Sequence, residues 1–189
     1  MEKSSLGLII GGFMGFILIS GIGEIICGNL EVTGNVTAEN VFIPTHAFGA
    51  TNITQTVALA DTWYTFNWSY THIEGIWTLS NSTHMVVANQ GHYKICFGAS
   101  FIDASPVANS HNALKVNVNS FELNHSYIEF DLQKQNSEVW LSHCVEDNFI
   151  QGDAVSIQYI SSDTDVTIES HGTYTTLVNY AFARMERMA

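Results

Sequence analysis

The spacing of hydrophobic positions changes along the chain, and each change predicts a different kind of element. Between Lys3 and Glu24 no residue is charged, and Leu6 to Gly23 gives eighteen residues. At about 1.5 Å per residue that run approaches a hydrocarbon layer ~30 Å thick. It predicts a hydrophobic helix that meets the membrane through residues 6–23, as a signal peptide or as an uncleaved anchor. Its length, and a small-residue cleavage signal blurred by Gly21, Gly23 and Gly28, favour the anchor. Gly7, Gly11 and Gly15 form a stripe where another helix could approach closely, although glycine is also common in such segments. Lys3 before the run and Glu24 behind it place the N-terminus inside and the rest of the chain outside.

Behind the leader the pattern turns to short β units in GNLEVTGNVTAENVFIP, where Asn29, Asn35 and Asn40 each precede an apolar residue. Leu30, Val32, Val36 and Val41 are residues to bury, and one strand can neither satisfy its backbone nor hide its apolar edge. They are therefore candidate oligomerisation residues, in a short shaft or donor strand over residues 28–45. From residue 46 onward no amphipathic helix of three turns is found. Strand-like runs alternate with polar turns: Thr62 to Trp68, Ile76 to Leu79, His84 to Val87, His92 to Ile102 and Ala113 to Val118, then Ser126 to Leu132, Glu138 to Val145, Ala154 to Ser161, Val166 to Glu169 and Thr173 to Ala183. Alternation is clearest for Tyr93, Ile95, Phe97, Ala99 and Phe101, and for Val155, Ile157 and Tyr159. About ten short strands at this spacing predict an all-β sandwich or barrel.

Composition narrows the setting. About 160 residues follow the leader, enough for one domain with a full core. Hydrophobic residues make up 46% of the chain and charged ones only 13%, which is not a disordered profile. Six Lys and Arg against eighteen Asp and Glu give −12, with no basic cluster, so phosphate-led binding of nucleic acid is disfavoured. The cysteines are Cys27, Cys96 and Cys144, and no CxxC occurs, so neither structural zinc nor thioredoxin-type redox chemistry is supported. Candidate glycosylation sequons begin at Asn35, Asn52, Asn67, Asn81 and Asn124, all outside in the expected topology.

The order GHYKICFGASF, ALKVNVNS, EVWLSHCVEDNFIQGDAVSIQYISS and VTIESHGTYTTLVNYAF resembles the ten-stranded jelly roll of the tumour necrosis factor and complement globular head superfamily. Gly91-His92-Tyr93-Lys94-Ile95 and Phe149-Ile150-Gln151-Gly152-Asp153 carry the resemblance, which covers Ala47 to Phe182. The preceding GNLEVTGNVTAENV is similar to the shaft repeats of trimeric phage and viral tail fibres. Together these imply an antiparallel jelly-roll head over residues 46–189 behind the shaft and a hydrophobic segment over 1–27, assembled as a homotrimer through aromatic strand faces. The apolar leader departs from such fibres. It points instead to a membrane-held or secreted appendage at the cell surface, or to a spike on a membrane-containing virion. The resemblance places Cys96 and Cys144 in opposite sheets, and both share parity with polar neighbours, so no bond between them is expected.

No motif names a reaction. The eight histidines show neither HExxH nor HxH spacing, the nearest pair being His84 and His92 on different strands. Asp153, Asp163 and Asp165 could offer oxygens to a calcium ion, but turn-forming Asp explains them as well. Ser142 and His143, being adjacent on a strand, point to opposite faces and lack an oxyanion turn. Glu129 and Asp131 share a strand face, yet no buried cleft is evident around them. Trp63, Tyr64, Phe66, Trp68, Tyr70 and Trp77 read mainly as core, with sugar-binding or subunit contact as the other use of such residues. The expectation is a non-enzymatic external protein without a cofactor, a trimeric fibre or spike head for attachment or assembly that meets a glycan or surface-protein ligand. Its rivals are a filament subunit polymerised by strand donation from residues 28–44 and a monomeric carbohydrate-binding module.

Overall fold

The computed structural model describes residues 6–8, 17–19, 46–74, 77–79, 81–107, 109–170 and 179–188. The chain divides into two compact units, Met1–Val41 and Phe42–Ala189. In the first, β1 (Leu6–Leu8) and β2 (Ile17–Ile19) pair antiparallel, so the backbone at these positions is extended. The remainder of the expected anchor lies outside the described residues, as do Leu30, Val32, Val36, Val41 and the sequon asparagine Asn35.

The second unit is all β among its described residues. In chain order its strands are β3 (His46–Thr51), β4 (Gln55–Thr56), β5 (Tyr64–Thr65), β6 (Tyr70–Glu74), β7 (Trp77–Leu79), β8 (Met85–Val87) and β9 (Gly91–Asp103). There follow β10 (Ser110–Val118), β11 (Phe121–Glu122), β12 (Ile128–Leu132), β13 (Glu138–Phe149), β14 (Ala154–Ser161), β15 (Val166–Ile168) and β16 (Ala181–Arg187). They form two seven-stranded antiparallel sheets. One runs β11-β10-β14-β8-β7, with β12 on β10 and β5 on β14; the other runs β4-β15-β9-β16-β3-β6, with β13 on β9. Such crossed, non-sequential neighbours are those of a jelly roll.

Alternation builds the core. Tyr93, Ile95, Phe97, Ala99 and Phe101 are buried as their spacing predicts, and so are Val155, Ile157 and Tyr159. The two sets join one hydrophobic cluster with Leu114, Val116, Phe66 and Met185. Tyr159 lies 4.8 Å from the Phe66 ring and 5.6 Å from the Tyr64 ring, and burial there pushes its hydroxyl up to about 12. Of the aromatic stretch, Phe66 and Trp68 are core, whereas Tyr70 is 58% exposed. Only Tyr64–Thr65 of the expected Thr62 to Trp68 strand is extended in a ladder, and β3, for which no strand is expected, pairs with both β6 and β16. The last strand begins at Ala181, and residues 171–178 of its expected course lie outside the described ones.

One expectation is overturned. Cys96 and Cys144 form a disulfide, with their Cα atoms 4.0 Å apart. Their parity is as expected, since Cys144 is exposed like Ser142 and Glu146. Their sheet assignment is not: β13 lies beside β9 in the same sheet, with Cys144 directly opposite Cys96. Two outward cysteines on adjacent strands at one register position meet, whereas on opposite sheets they could not.

Candidate functional site

The outward face of the β13-β9-β16-β3-β6 surface can be laid out from its register. Trp140 and Ser142 on β13 stand opposite Ser100 and Gly98 on β9, Gly98 stands opposite Phe182 on β16, Phe182 opposite Ala50 on β3, and Ala50 opposite Tyr70 on β6. Small neighbours on both sides leave room for the Phe182 ring, and Trp140 stacks on it at 5.9 Å with an interplanar angle of 8°. Trp140 remains 46% exposed. Further along β3 and β6, Phe48 meets Tyr70 edge-on at 6.2 Å, and the rings of His46 and His72 lie 5.4 Å apart. These four residues and Arg184 line a shallow cavity of about 400 Å³, and Arg184 is ion-paired with Glu186. Toward the β13 edge Glu146 meets Lys94 at 3.9 Å and His92 at 3.5 Å. An aromatic strip of Trp140, Phe182, Phe48 and Tyr70 thus crosses the sheet.

The other sheet presents a different surface. A cleft of about 440 Å³ opens over β10, β12 and β14. Register places His111 opposite Asp131, and Ala113 opposite both Glu129 and Ile160. Ala113 is the small residue that leaves a hollow, and Ile160 beside it adds an apolar lining. His111 Nδ1 lies 2.6 Å from Asp131 Oδ1, and the Tyr127 hydroxyl donates to Glu129 Oε2 at 2.6 Å. That hydrogen bond, more than burial, holds the Tyr127 hydroxyl up at about 12. Asp61 and Ser162 complete the rim, and Ser162 Oγ accepts the His111 amide at 2.9 Å. Beside the cleft Trp63 meets Tyr127 edge-on at 6.3 Å, while Lys115 sits 4.0 Å over the Trp63 ring and 3.2 Å from Glu122.

The cleft around Glu129 and Asp131 is a surface hollow in which both carboxylates are exposed. Strand parity pairs the two carboxylates in the sequence. Asp61, His111, Ile160 and Ser162 come from other segments, and no local signal announces them. Other candidates are dispersed. Asp153 accepts from the Ile150 amide and from Asn119, whereas Asp163 accepts from the Asp165 amide at the opposite end of β14. His84 bonds with Thr83 at its own turn, and His92 lies near Asn148. Among the described residues no group of three or more His, Cys, Asp or Glu is placed to hold a metal ion. His143 packs on Phe97 and its Nε2 lies 3.0 Å from the His125 carbonyl, turned away from outward-facing Ser142. The sequon asparagines Asn52, Asn67, Asn81 and Asn124 are all exposed. Asn52 and Asn81 are tied into turns through Ser69 and Thr83.

No family profile and no curated protein matches the sequence. By fold, the chain is similar to murine APRIL. A crystal structure of that protein at pH 8.5 superposes with a TM-score of 0.51 at 7% identity, and one at pH 8.0 with 0.50 at 10%. Each match covers 77% of this chain and 100% of that one. At such identities the likeness is one of fold, a jelly roll of the tumour necrosis factor type.

Proposed function

We propose that the protein is a non-enzymatic external adhesive or structural protein, whose jelly-roll head assembles as a trimer through the aromatic face. The observation that carries this reading is Trp140, exposed and stacked on Phe182 at the β13 end of a strip that continues to Phe48 and Tyr70. A chain with 13% charged residues gains little by showing such a strip to water, and copies of itself are the cover always at hand. The tumour necrosis factor type of fold and a β shaft whose Leu30, Val32, Val36 and Val41 need partners both support it. The leader would hold residues 28–189 outside the membrane. Light scattering on the full chain in detergent should give the mass of three chains, and Trp140→Asp should shift it to one. A wild-type monomer at micromolar concentration would sink this reading.

A second reading draws on β13. This twelve-residue strand pairs with β9 on one side and stands at the sheet edge among the described residues. A long edge is a template for an added strand, which residues 28–44 of another copy could supply. Open fibres in negative stain, in place of discrete particles, would decide for it.

A further inference from the structure

We infer that the cleft over β10, β12 and β14 binds a neutral saccharide. This deepens the adhesive reading and rests on it, because it names the class of ligand that the head would meet. The cleft volume of about 440 Å³ falls in the range of small-ligand sites and accommodates one or two pyranose rings. Its lining has the mixture that a sugar requires. Half-buried Ile160 offers an apolar patch to the C–H face of a ring, and Tyr127 adds an aromatic wall.

The polar groups around that patch both accept and donate. Glu129, Asp131 and Asp61 accept; the Ser162 hydroxyl, which already accepts the His111 amide, keeps its own proton to donate. A sugar hydroxyl is also donor and acceptor at once, whereas a cation needs acceptors alone. Two of the carboxylates are held in place before any ligand arrives. Tyr127 grips one oxygen of Glu129 and His111 stands at one oxygen of Asp131, which fixes their orientation as preorganised sites require. Lys115, beside the cleft, is held over Trp63 and paired with Glu122, and among the described residues no lysine lines the cleft itself. An anionic sugar, such as a sialylated or sulfated one, would be repelled from three carboxylates. The cleft and the aromatic face lie on different sheets, so a ligand can occupy the first while copies of the chain cover the second.

The test uses the full chain in detergent, titrated by saturation-transfer NMR and calorimetry with lactose, maltose, cellobiose and chitobiose. Sialyllactose and hexalysine serve as the charged comparisons. At least one neutral disaccharide should bind with a dissociation constant on the order of 1 mM, usual for a single shallow site. Asp131→Asn and Glu129→Gln should each weaken it about tenfold or more. Both positions are exposed, so these variants should keep the fold, and Lys134→Gln, outside the cleft, should leave binding unchanged. The inference is overturned if no neutral disaccharide binds, if the two cleft variants bind as the wild type does, or if hexalysine or sialyllactose binds in preference. The mass of the same samples separates this outcome from the assembly. A trimer that binds no sugar removes the cleft ligand alone, and a monomer that binds sugar removes the trimer alone.

Discussion

Phe182 lies over Gly98 on the aromatic face, and a Cβ added at Gly98 would sit 2.7 Å from the Leu141 carbonyl, 2.8 Å from Ser142 Cβ and 2.9 Å from Phe182 Cε1. Two of those neighbours are on the paired strand β13 and cannot swing aside as the end of a flexible side chain could. Gly98→Ala should therefore cost about 1–3 kcal/mol, read as a lower urea midpoint at unchanged slope. A variant as stable as the wild type would show that the β9–β13 ladder yields more easily than its packing implies. In the sequence Gly98 appears only as a gap in the polar phase of a strand. The need for it arises from Phe182 and Leu141, which are remote in the chain, and so the reason for the glycine is not legible locally. The same holds at Gly49, where an added Cβ would come within 2.7 Å of Met85 and 2.9 Å of Trp68. The strand His46–Thr51 turns small residues, Ala47 and Gly49, inward because Trp68 and Met85 fill the space. Small inward residues carry almost no alternation signal, which is why this strand escapes a reading based on hydrophobic spacing.

At the scale of elements, β9 and β14 were legible because their inward residues are large and alternate with polar ones. The disulfide was not, because the question was one of neighbours: parity is a property of one strand, and adjacency is a property of the sheet. The bridge closes a loop with a sequence separation of 48 between β9 and the edge strand β13. Replacing both cysteines, as Cys96→Ser with Cys144→Ser, should lower stability by about 2–4 kcal/mol, and thiol titration of the unfolded wild type should find Cys27 as the single reactive cysteine. A stability loss under about 0.5 kcal/mol would mean that the ladder alone fixes β13 on β9.

For the whole molecule, two outer surfaces with different chemistry are assigned different tasks, and the placement of sugar attachment sites offers a way to test the division. Asn52, Asn67, Asn81 and Asn124 are exposed on the sandwich. Trp140→Asn, ahead of Leu141 and Ser142, writes an N-x-S sequon onto the aromatic face. Produced in glycosylating cells, this variant should carry an added glycan and remain monomeric by light scattering; a glycosylated trimer would move the assembly contact elsewhere. The sandwich as a whole was readable from strand spacing, whereas the cleft was not, since its walls come from Asp61, His111, Glu129, Asp131, Ile160 and Ser162 in widely separated segments. One consequence concerns load. A head that holds a surface is pulled, and an antiparallel edge strand under peeling force loosens one rung at a time. β13 is such an edge, but the bond between Cys96 and Cys144 is a rung that peeling cannot open, so tearing that starts at either end of β13 stops at Cys144 with the rest of the ladder still closed.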